Sequence, residues 1–372
     1  MTSAREVPFF NYQALFREQK ADILNVLTDV MERGAYILQK DLELFEKNLE
    51  SFLDVKHAYG VADGTNALLL CLHAVDLQRG DEVILPSHTY IATAAAVHFA
   101  GGSPVLVECG PDHMVDPPAI EKAITEKTKV IMPVQLNGRT ADMDAISAIA
   151  AKHGLTIVED AAQALGSKFN GQSAGTFGAA GTFSFYPAKV LGCFGDGGAV
   201  VTNDDDVARR ISLLRDHGRD DNGEVVTWGM NSRLDNLQAA LLDFKLKSFP
   251  DEIERRRQIA RLYQDGLSGI RQLELPPAPD ADARHFDVYQ NYELLAEDRD
   301  ELKKHLESRG VRTIVQWNGK AVHQFKGLGF DEVSLPVTEE MFRRFLMLPM
   351  NTSLSDEDVA YVIEQITDFY GN

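Results

Sequence analysis

Short apolar runs alternate with segments of helical apolar spacing from about residue 57 to residue 203. The apolar runs are continuous rather than alternating, which is typical of strands that are covered on both faces. Such alternation of strands and helices predicts an α/β fold with a mostly parallel sheet flanked by helices. Seven strands are predicted, at 57–62, 82–86, 104–107, 130–136, 155–159, 182–185 and 198–202, with helices at 64–77, 89–99, 118–124 and 143–153.

The pattern changes after residue 204, where helical spacing dominates, and a Pro-rich stretch at 276–279 predicts a linker. We expect a large domain over residues 1–250 and a smaller α+β domain over 251–372. The N-terminal segment is a candidate to pack on the small domain. The predicted elements of this second half are helices at 204–216, 231–248, 251–267, 300–309 and 355–370, and strands at 287–295 and 313–317.

Composition excludes several classes of protein. The 372 residues carry 37 basic and 56 acidic side chains, for a formal charge of −19, whereas a nucleic-acid binder needs a basic face. Cys71, Cys109 and Cys193 have no metal-ligand spacing and indicate reduced thiols. No apolar run approaches the roughly 18 residues of a membrane span, and the N-terminus has no apolar signal core. We therefore expect a cytoplasmic protein with no metal, nucleic-acid or membrane partner.

The segment 182–200 carries the strongest chemical signal. Lys189 stands among apolar and small residues just past a predicted strand, and a turn with Gly195, Gly197 and Gly198 follows it. An isolated lysine is usually a surface residue, but burial lowers the pKa of a lysine and frees its amine for Schiff-base chemistry. The glycines let the backbone turn sharply and approach a ligand.

Two further pieces precede this segment. Asp160 ends a predicted strand, at the edge of an open α/β sheet where ligands bind. An aspartate there either pairs with a pyridinium nitrogen or caps a following helix. Gly64 and Thr65 open a predicted helix, which makes either an anion site for phosphate or an ordinary helix cap. Together with Lys189, these pieces fit pyridoxal 5'-phosphate.

Seven motifs extend this pattern along almost the whole chain. They are Gly34-Ala-Tyr-Ile-Leu, Gly64-Thr-Asn-Ala-Leu, Pro86-Ser-His-Thr-Tyr-Ile-Ala-Thr, Glu159-Asp-Ala-Ala-Gln, Phe183-Ser-Phe-Tyr-Pro-Ala-Lys, Gly195-Asp-Gly-Gly-Ala and Asn231-Ser-Arg-Leu-Asp-Asn-Leu-Gln-Ala-Ala. In this order and spacing the chain resembles the DegT/DnrJ/EryC1/StrS family, the sugar-aminotransferase branch of the fold type I pyridoxal-phosphate enzymes. The resemblance implies a fold type I aminotransferase whose large domain binds the cofactor.

The resemblance also implies a role for each matched residue. Lys189 would carry pyridoxal 5'-phosphate as an internal aldimine and move the proton, and Asp160 would pair with the pyridine nitrogen. Gln163 would hydrogen-bond the phenolic oxygen, and Tyr90 would stack on the ring, the alternative for Tyr90 being a core tyrosine. The residues implied to hold the phosphate are Gly64, Thr65 and Ser184. The resemblance also implies a homodimer with shared active sites, in which Asn231 reaches the phosphate from the neighbouring subunit. The alternative role of Asn231 is a helix cap.

The resemblance implies transfer of an amino group from L-glutamate to a nucleotide-linked keto-sugar, for deoxyamino-sugar, surface-polysaccharide or secondary-metabolite biosynthesis. One branch of the family replaces the lysine with histidine and dehydrates its substrate, so Lys189 favours transamination. Asn231-Ser-Arg-Leu-Asp resembles the members that aminate carbon 3. The alternatives are a carbon-4 keto-sugar or cyclitol aminotransferase and, more distantly, a non-catalytic regulatory homologue.

Four residues are candidates for substrate contact: Asn137, Arg139, Tyr186 and His323. Relatives often read Leu-Tyr-Gly-Gln where this chain reads Leu136-Asn-Gly-Arg. The planar guanidinium of Arg139 suits a carboxylate or a diphosphate, but it could equally pair with the nearby Asp142 or Asp144. His323 belongs to a region that relatives place near the sugar nucleotide.

Overall fold

The computed structural model describes residues 5–371. Its strands are β1 (His57–Val61), β2 (Glu82–Pro86), β3 (Ser103–Val107), β4 (Thr128–Ile131), β5 (Thr156–Asp160), β6 (Lys168–Phe169), β7 (Gln172–Ser173), β8 (Ala180–Ser184), β9 (Gly198–Thr202), β10 (Leu273–Glu274), β11 (His285–Phe286), β12 (Tyr292–Ala296) and β13 (Phe345–Leu348). Its helices are α1 (Tyr12–Glu18), α2 (Lys20–Arg33), α3 (Lys40–Leu53), α4 (Gly64–Ala74), α5 (Ile91–Phe99), α6 (Pro117–Ala123), α7 (Met143–His153), α8 (Asp205–Arg215), α9 (Asn236–Leu246), α10 (Phe249–Leu267), α11 (Arg299–Ser308), α12 (Pro336–Arg344) and α13 (Asp356–Gly371).

A seven-stranded sheet organises the large part of the chain, in the order β1-β9-β8-β5-β4-β2-β3. Strand β9 runs antiparallel to β1 and β8, and the other neighbours pair in parallel. The α/β prediction and its seven strands are therefore confirmed.

Side chains of alternate strand residues enter cores on opposite faces of the sheet, as the two-residue period of a strand requires. In β9, Ala199 and Val201 pack in one core with residues of α3 and α9, whereas Val200 packs in the other with residues of α4 and α8. Both faces are thus covered, which explains why the strand segments read as continuous apolar runs.

Several helices begin where an aspartate accepts a hydrogen bond from the first turn. Asp63, Asp116 and Asp142 cap α4, α6 and α7 in this way. A side-chain oxygen at this position satisfies an N–H that has no partner inside the helix. Some of the acidic residues therefore act as helix caps, a role that a count of charges does not reveal.

Several predicted elements are shorter in the structure, among them the strand predicted at 287–295, which begins at Tyr292, and one is replaced. The strand predicted at 130–136 ends at Ile131, and Leu136–Gly138 forms a 3-10 turn. Pro133 lacks an N–H to donate to a neighbouring strand. The helix predicted at 231–248 begins only at Asn236, because residue 231 pairs with Asp216 in an isolated bridge. The strand predicted at 313–317 is reduced to one bridge between Ile314 and Met347.

The smaller part of the chain is built on the antiparallel sheet β10-β12-β13, with α10, α11 and α13 around it. Val7 is buried in the same core, and its N–H donates to the carbonyl oxygen of Gly310 over 2.9 Å. A third sheet, β11-β6-β7, links the chain before β12 to the large part. Across the residues described, no helix combines the length and apolarity needed to cross a membrane.

Candidate active site

A cleft of about 850 Å³ lies at the carboxyl ends of the central strands, between the large and small parts of the chain. Eight residues singled out from the sequence line it: Gly64, Thr65, Tyr90, Asp160, Gln163, Ser184, Tyr186 and Lys189. They come from four separate segments at the ends of β1, β2, β5 and β8, so the cleft exists only in the folded chain. Its position agrees with the rule that ligands bind outside the carboxyl ends of strands in open α/β sheets.

Lys189 lies in the turn after β8, where its own N–H donates to the carbonyl oxygen of Tyr186 over 2.8 Å. Burial lowers the pKa of its ammonium group to about 8, and the carboxylate of Asp160 opposes this shift. A lysine in this setting has a substantial fraction of free amine near neutral pH. That is the form that acts as a nucleophile or a base.

Asp160 is the last residue of β5, and it is 5% exposed. Its Oδ2 accepts from the hydroxyl of Thr93 over 2.7 Å, and its Oδ1 accepts from the N–H of Ala162 over 3.2 Å. Burial raises the pKa of this carboxyl, while the bond from Thr93 lowers it. No helix follows Asp160, but its bond from the N–H of Ala162 caps the following turn, so the capping role is met in that form. The carboxylate is therefore held in place with one side toward the cleft.

The first turn of α4 and Ser184 form a narrow cradle. Asp63 caps α4 by accepting from the N–H of Asn66 over 2.8 Å, so Thr65 does not serve as the cap. A Cβ on Gly64 would lie 2.9 Å from the Cβ of Ser184, and a Cβ on Gly198 would lie 2.5 Å from the backbone of Asp63. These contacts require glycine, and they leave the helix N-terminus open to an anion such as phosphate.

Gln163 and Tyr90 complete the cleft. Oε1 of Gln163 accepts from the N–H of Asn137 over 2.9 Å, which leaves its amide nitrogen as the donor on the cleft side. Tyr90 is 55% exposed and its ring centroid lies 6.4 Å from that of Trp317, so it is not a core tyrosine. The ring is available to pack on a planar group.

The polar groups that line the cleft fit pyridoxal 5'-phosphate. The cradle at Gly64 suits a phosphate, and the buried carboxylate of Asp160 suits a protonated ring nitrogen. Lys189 supplies an amine with a lowered pKa at the same cleft. Each of the three groups that the cofactor requires is therefore present.

Asn231 and His323 do not line this cleft. Asn231 is exposed and belongs to the hairpin that ends in the bridge to Asp216, and Asp235 rather than Asn231 precedes α9. The alternative role of Asn231 as a helix cap is therefore wrong. His323 is buried, with Nδ1 2.7 Å from the hydroxyl of Ser87 and Nε2 3.3 Å from the carboxylate of Glu339. Both nitrogens of His323 are engaged in contacts away from the cleft.

Asn137 and Arg139 line a second, much smaller cavity of about 50 Å³ beside the cleft. Arg139 pairs with neither of the two aspartates considered from the sequence. Its Nη1 lies 2.5 Å from Oδ2 of Asp287, which is 148 residues away in the chain. The guanidinium of Arg139 is thus paired with Asp287, which lies too far away in the sequence to have been considered as its partner.

Among the lining residues that were not identified as site residues from the sequence are Thr93, Gln290 and Asn291. Thr93 lies within the quoted motif Pro86-Ser-His-Thr-Tyr-Ile-Ala-Thr, and its spacing from Tyr90 on α5 is the signal that could have found it. Gln290 and Asn291 carry no such signal, because their contacts are with residues about a hundred positions or more away.

Comparisons with known proteins agree with this geometry. The chain matches the model described as the DegT/DnrJ/EryC1/StrS aminotransferase family over residues 17–367. It is similar to the dTDP-3-amino-3,4,6-trideoxy-alpha-D-glucose transaminase of Streptomyces venezuelae, with 41% identity covering 98% of this chain and 96% of the relative. It is also similar to the structure of S. venezuelae DesV, with a TM-score of 0.94 and 39% identity over 99% of each chain. The structure of NtdA from Bacillus subtilis with bound cofactor PMP has a TM-score of 0.91 and 31% identity, over 99% of this chain and 86% of that one.

Proposed function

Because this chain belongs to the DegT/DnrJ/EryC1/StrS aminotransferase family, we propose that it moves the amino group of L-glutamate onto a nucleotide-linked keto-sugar, at carbon 3. The observation that carries the proposal is the meeting of Lys189 and Asp160 at one cleft, with the pKa of Lys189 lowered to about 8. Neither group is needed for a packing role at that place. Both are needed for amino transfer with pyridoxal phosphate.

Pyridoxal phosphate, when bound, supplies an electron sink that stabilises negative charge on the reacting carbon. Gly64, Thr65 and Ser184 would hold its phosphate, Asp160 its ring nitrogen, and Gln163 its phenolic oxygen. Tyr90 would cover the ring. Lys189 would attach the group covalently through Nζ.

The chain's own residues account for the proton movement. Nζ of Lys189 would take the proton from the substrate carbon that bears the amino group and hold it for return, acting as a general base and then as a general acid. A pKa of about 8 suits both steps near neutral pH. Asp160, held by the hydroxyl of Thr93 and the N–H of Ala162, would be the partner of the ring nitrogen.

Two observations support amination at carbon 3. The chain carries Asn231-Ser-Arg-Leu-Asp, which resembles the carbon-3 subgroup. The similar S. venezuelae protein is named for a 3-amino sugar, and a protein of Acidithiobacillus ferrooxidans, 37% identical over 97% of this chain, is named a UDP-N-acetyl-3-dehydro-alpha-D-glucosamine 3-aminotransferase. The product would enter deoxyamino-sugar, surface-polysaccharide or secondary-metabolite biosynthesis.

We further propose a homodimer in which each active site is completed by the hairpin of the other subunit. Val225, Val226 and Trp228 on the hairpin before Asn231 are exposed, Trp228 by 94%. Exposed apolar side chains at this density indicate a covered surface. Asn231 would then reach the phosphate of the neighbouring site. The three cysteines are free, which supports a location in the reducing cytoplasm.

The test is a titration of the purified, cofactor-loaded protein with nucleotide-linked 3-amino sugars, 4-amino sugars and L-glutamate, followed by the absorption band of the bound cofactor. We expect L-glutamate and one 3-amino sugar to bleach the band, because each donates its amino group in a half-reaction. Bleaching by a 4-amino sugar instead would move the reaction to carbon 4. Bleaching by L-glutamate alone would favour a cyclitol ketone as acceptor.

A folded protein that shows no band after addition of pyridoxal phosphate would refute the enzyme assignment. Reduction of the loaded protein with borohydride, followed by peptide mapping, checks the attachment directly. We expect the label on Lys189 and on no other lysine.

A further inference from the structure

Gln290 is a buried glutamine on the segment that leads into β12, and it contacts the backbone on both sides of Lys189. Its Nε2 donates to the carbonyl oxygen of Ala188 over 2.7 Å, and its Oε1 accepts from the N–H of Val190 over 2.6 Å. The residue is 6% exposed. The amide group of Gln290 thus binds the carbonyl oxygen of the residue before Lys189 and the N–H of the residue after it. These two hydrogen bonds fix the backbone from which the side chain of Lys189 projects.

The neighbouring Asn291 makes a similar link to Gln163. Nδ2 of Asn291 donates to Oδ1 of Asn137 over 2.8 Å and lies 3.5 Å from Oε1 of Gln163. The N–H of Asn137 donates to the same Oε1 over 2.9 Å. Because both groups approach the oxygen of Gln163, its amide nitrogen is directed to the cleft.

Arg256 of α10 holds this dipeptide from the side of the small sheet. Its Nη1 lies 3.2 Å from the carbonyl oxygen of Tyr289, 3.3 Å from that of Gln290 and 3.0 Å from that of Met350. Arg256 is buried, so these charged hydrogen bonds are shielded from water. The positions of Gln290 and Asn291 are therefore set by the small part of the chain.

We propose that Gln290 and Asn291 are positioning residues of this active site: Gln290 fixes the backbone of Lys189, and Asn291 fixes the amide of Gln163. The inference rests on the proposed function, in which Lys189 is the reacting amine. A displacement of about 1 Å in a reacting group can cost roughly a hundredfold in rate. Two buried amides of one dipeptide, which hold the reacting Lys189 and the cofactor-binding Gln163, would therefore govern turnover without touching the substrate's reacting atoms.

The test compares two substitutions of Gln290 with a matched control. Gln290→Glu keeps the shape but loses the donor and sets an oxygen against the carbonyl of Ala188. Gln290→His keeps one donor and one acceptor on a neutral ring. The control is Gln238→Glu, because Gln238 makes the same double contact with the N–H and carbonyl of Phe194, at 2.9 and 3.0 Å, and neither residue lines the cleft.

Two readouts separate positioning from general damage. The first is kcat and KM for L-glutamate. We expect Gln290→Glu to lower kcat at least about tenfold with KM within about twofold, Gln290→His to recover most of kcat, and Gln238→Glu to match the wild type. The second is the pH dependence of Lys189 labelling by an amine reagent in the cofactor-free protein. We expect its midpoint to rise in Gln290→Glu, because a nearby carboxylate favours the ammonium form.

The inference would be overturned if Gln290→Glu had the kcat and the labelling midpoint of the wild type. It would also be overturned if Gln238→Glu lost as much kcat as Gln290→Glu. If Gln290→Glu does not fold, the comparison is made between Gln290→His and Asn291→Ala: wild-type kcat in Asn291→Ala would then overturn it. Failure of the proposed function is distinguishable, because pyridoxal phosphate would then fail to protect Lys189 from labelling in the wild type.

Discussion

Arg139 and Asp287 form a buried ion pair that joins the turn after β4 to the segment before β12, with 2.5 Å between Nη1 and Oδ2. Their side chains are 12% and 8% exposed. Burial raises the pKa of the Asp287 carboxyl, and the guanidinium of Arg139 opposes that rise. The pair links the large and small parts beside the cleft, which favours a structural role for Arg139 over direct binding of a substrate anion.

We predict that Arg139→Ala lowers the free energy of unfolding by about 3–5 kcal/mol, because it leaves Asp287 buried without its partner. The affinities for L-glutamate and the nucleotide sugar should change less than about threefold. Denaturant unfolding and ligand titration measure the two effects. The double variant Arg139→Met/Asp287→Leu is the control and should regain much of the loss. A large drop in affinity with unchanged stability would instead restore anion binding as the role of Arg139.

Thr93→Val should move the acid limb of the pH–rate profile to higher pH. The hydroxyl of Thr93 lowers the pKa of Asp160, so its removal raises that pKa, and the carboxylate then forms only at higher pH. We expect kcat/KM to fall about tenfold at pH 6 and less at pH 8. Thr93→Ser keeps the donor and should follow the wild-type profile. A uniform loss at all pH values would contradict this account.

The stability of the cofactor-free protein should respond to Lys189 between pH 8 and pH 10. Burial lowers the pKa of Lys189 to about 8 in the folded chain, below its ordinary value of 10.5. The unfolded chain therefore binds more protons in this window, so stability rises with pH. Relative to Lys189→Met, the wild type should gain about 2 kcal/mol from pH 8 to pH 10, measured by denaturant unfolding. If the free energies of unfolding of the two proteins changed with pH in the same way, the amine of Lys189 would not be desolvated in the folded chain.

Tyr90 should act through its ring rather than its hydroxyl. We expect Tyr90→Ala to weaken cofactor binding about tenfold, because a stacked aromatic ring is worth on the order of 1 kcal/mol beyond its buried area. Tyr90→Phe retains the ring and is the matched control. The rate of cofactor loss on dilution measures both variants. Equal losses in the two variants would transfer the role to the hydroxyl.

Mixing two inactive variants tests whether the active sites are shared. Lys189→Ala should lower kcat at least about a thousandfold, and Asn231→Ala should weaken binding of the cofactor phosphate. If Asn231 serves the neighbouring site, a mixed dimer has one site with both defects and one site intact. An equal mixture should then regain about one quarter of wild-type activity after subunit exchange. No recovery, in a mixture shown to exchange, would assign Asn231 to its own subunit's site.

The local pattern of the sequence was sufficient to predict the large sheet and eight of the residues that line the cleft. Strands such as β2 and β9 were predicted with their observed bounds, because burial on both faces produces continuous apolar runs. Lys189, Asp160 and Gly64 were found because each stands directly after a strand or at a helix start. Such positions are defined by a few neighbouring residues and can be recognised from them.

Element ends and short elements were less predictable. The strand expected at 130–136 stopped at Ile131, and the helix expected from residue 231 began at Asn236. Apolar spacing continues through both segments, so it does not reveal that Asn231 leaves the helix to pair with Asp216. Helix α12 and strand β13 were not predicted either, since β13 is defined by its pairing with the distant β12 and α12 packs beside that pair.

The sequence by itself determined the order of the seven strands of the large sheet along the chain, and it placed Lys189 and Asp160 at or just after the ends of two of them. Only the tertiary structure decided the partners of Arg139, His323 and Gln290, because these contacts join residues 148, 236 and about 100 positions apart. A side chain's backbone position is set by its local sequence. Its hydrogen-bond partner is set by whichever distant segment the packed core brings within 3 Å, and no local pattern carries that information.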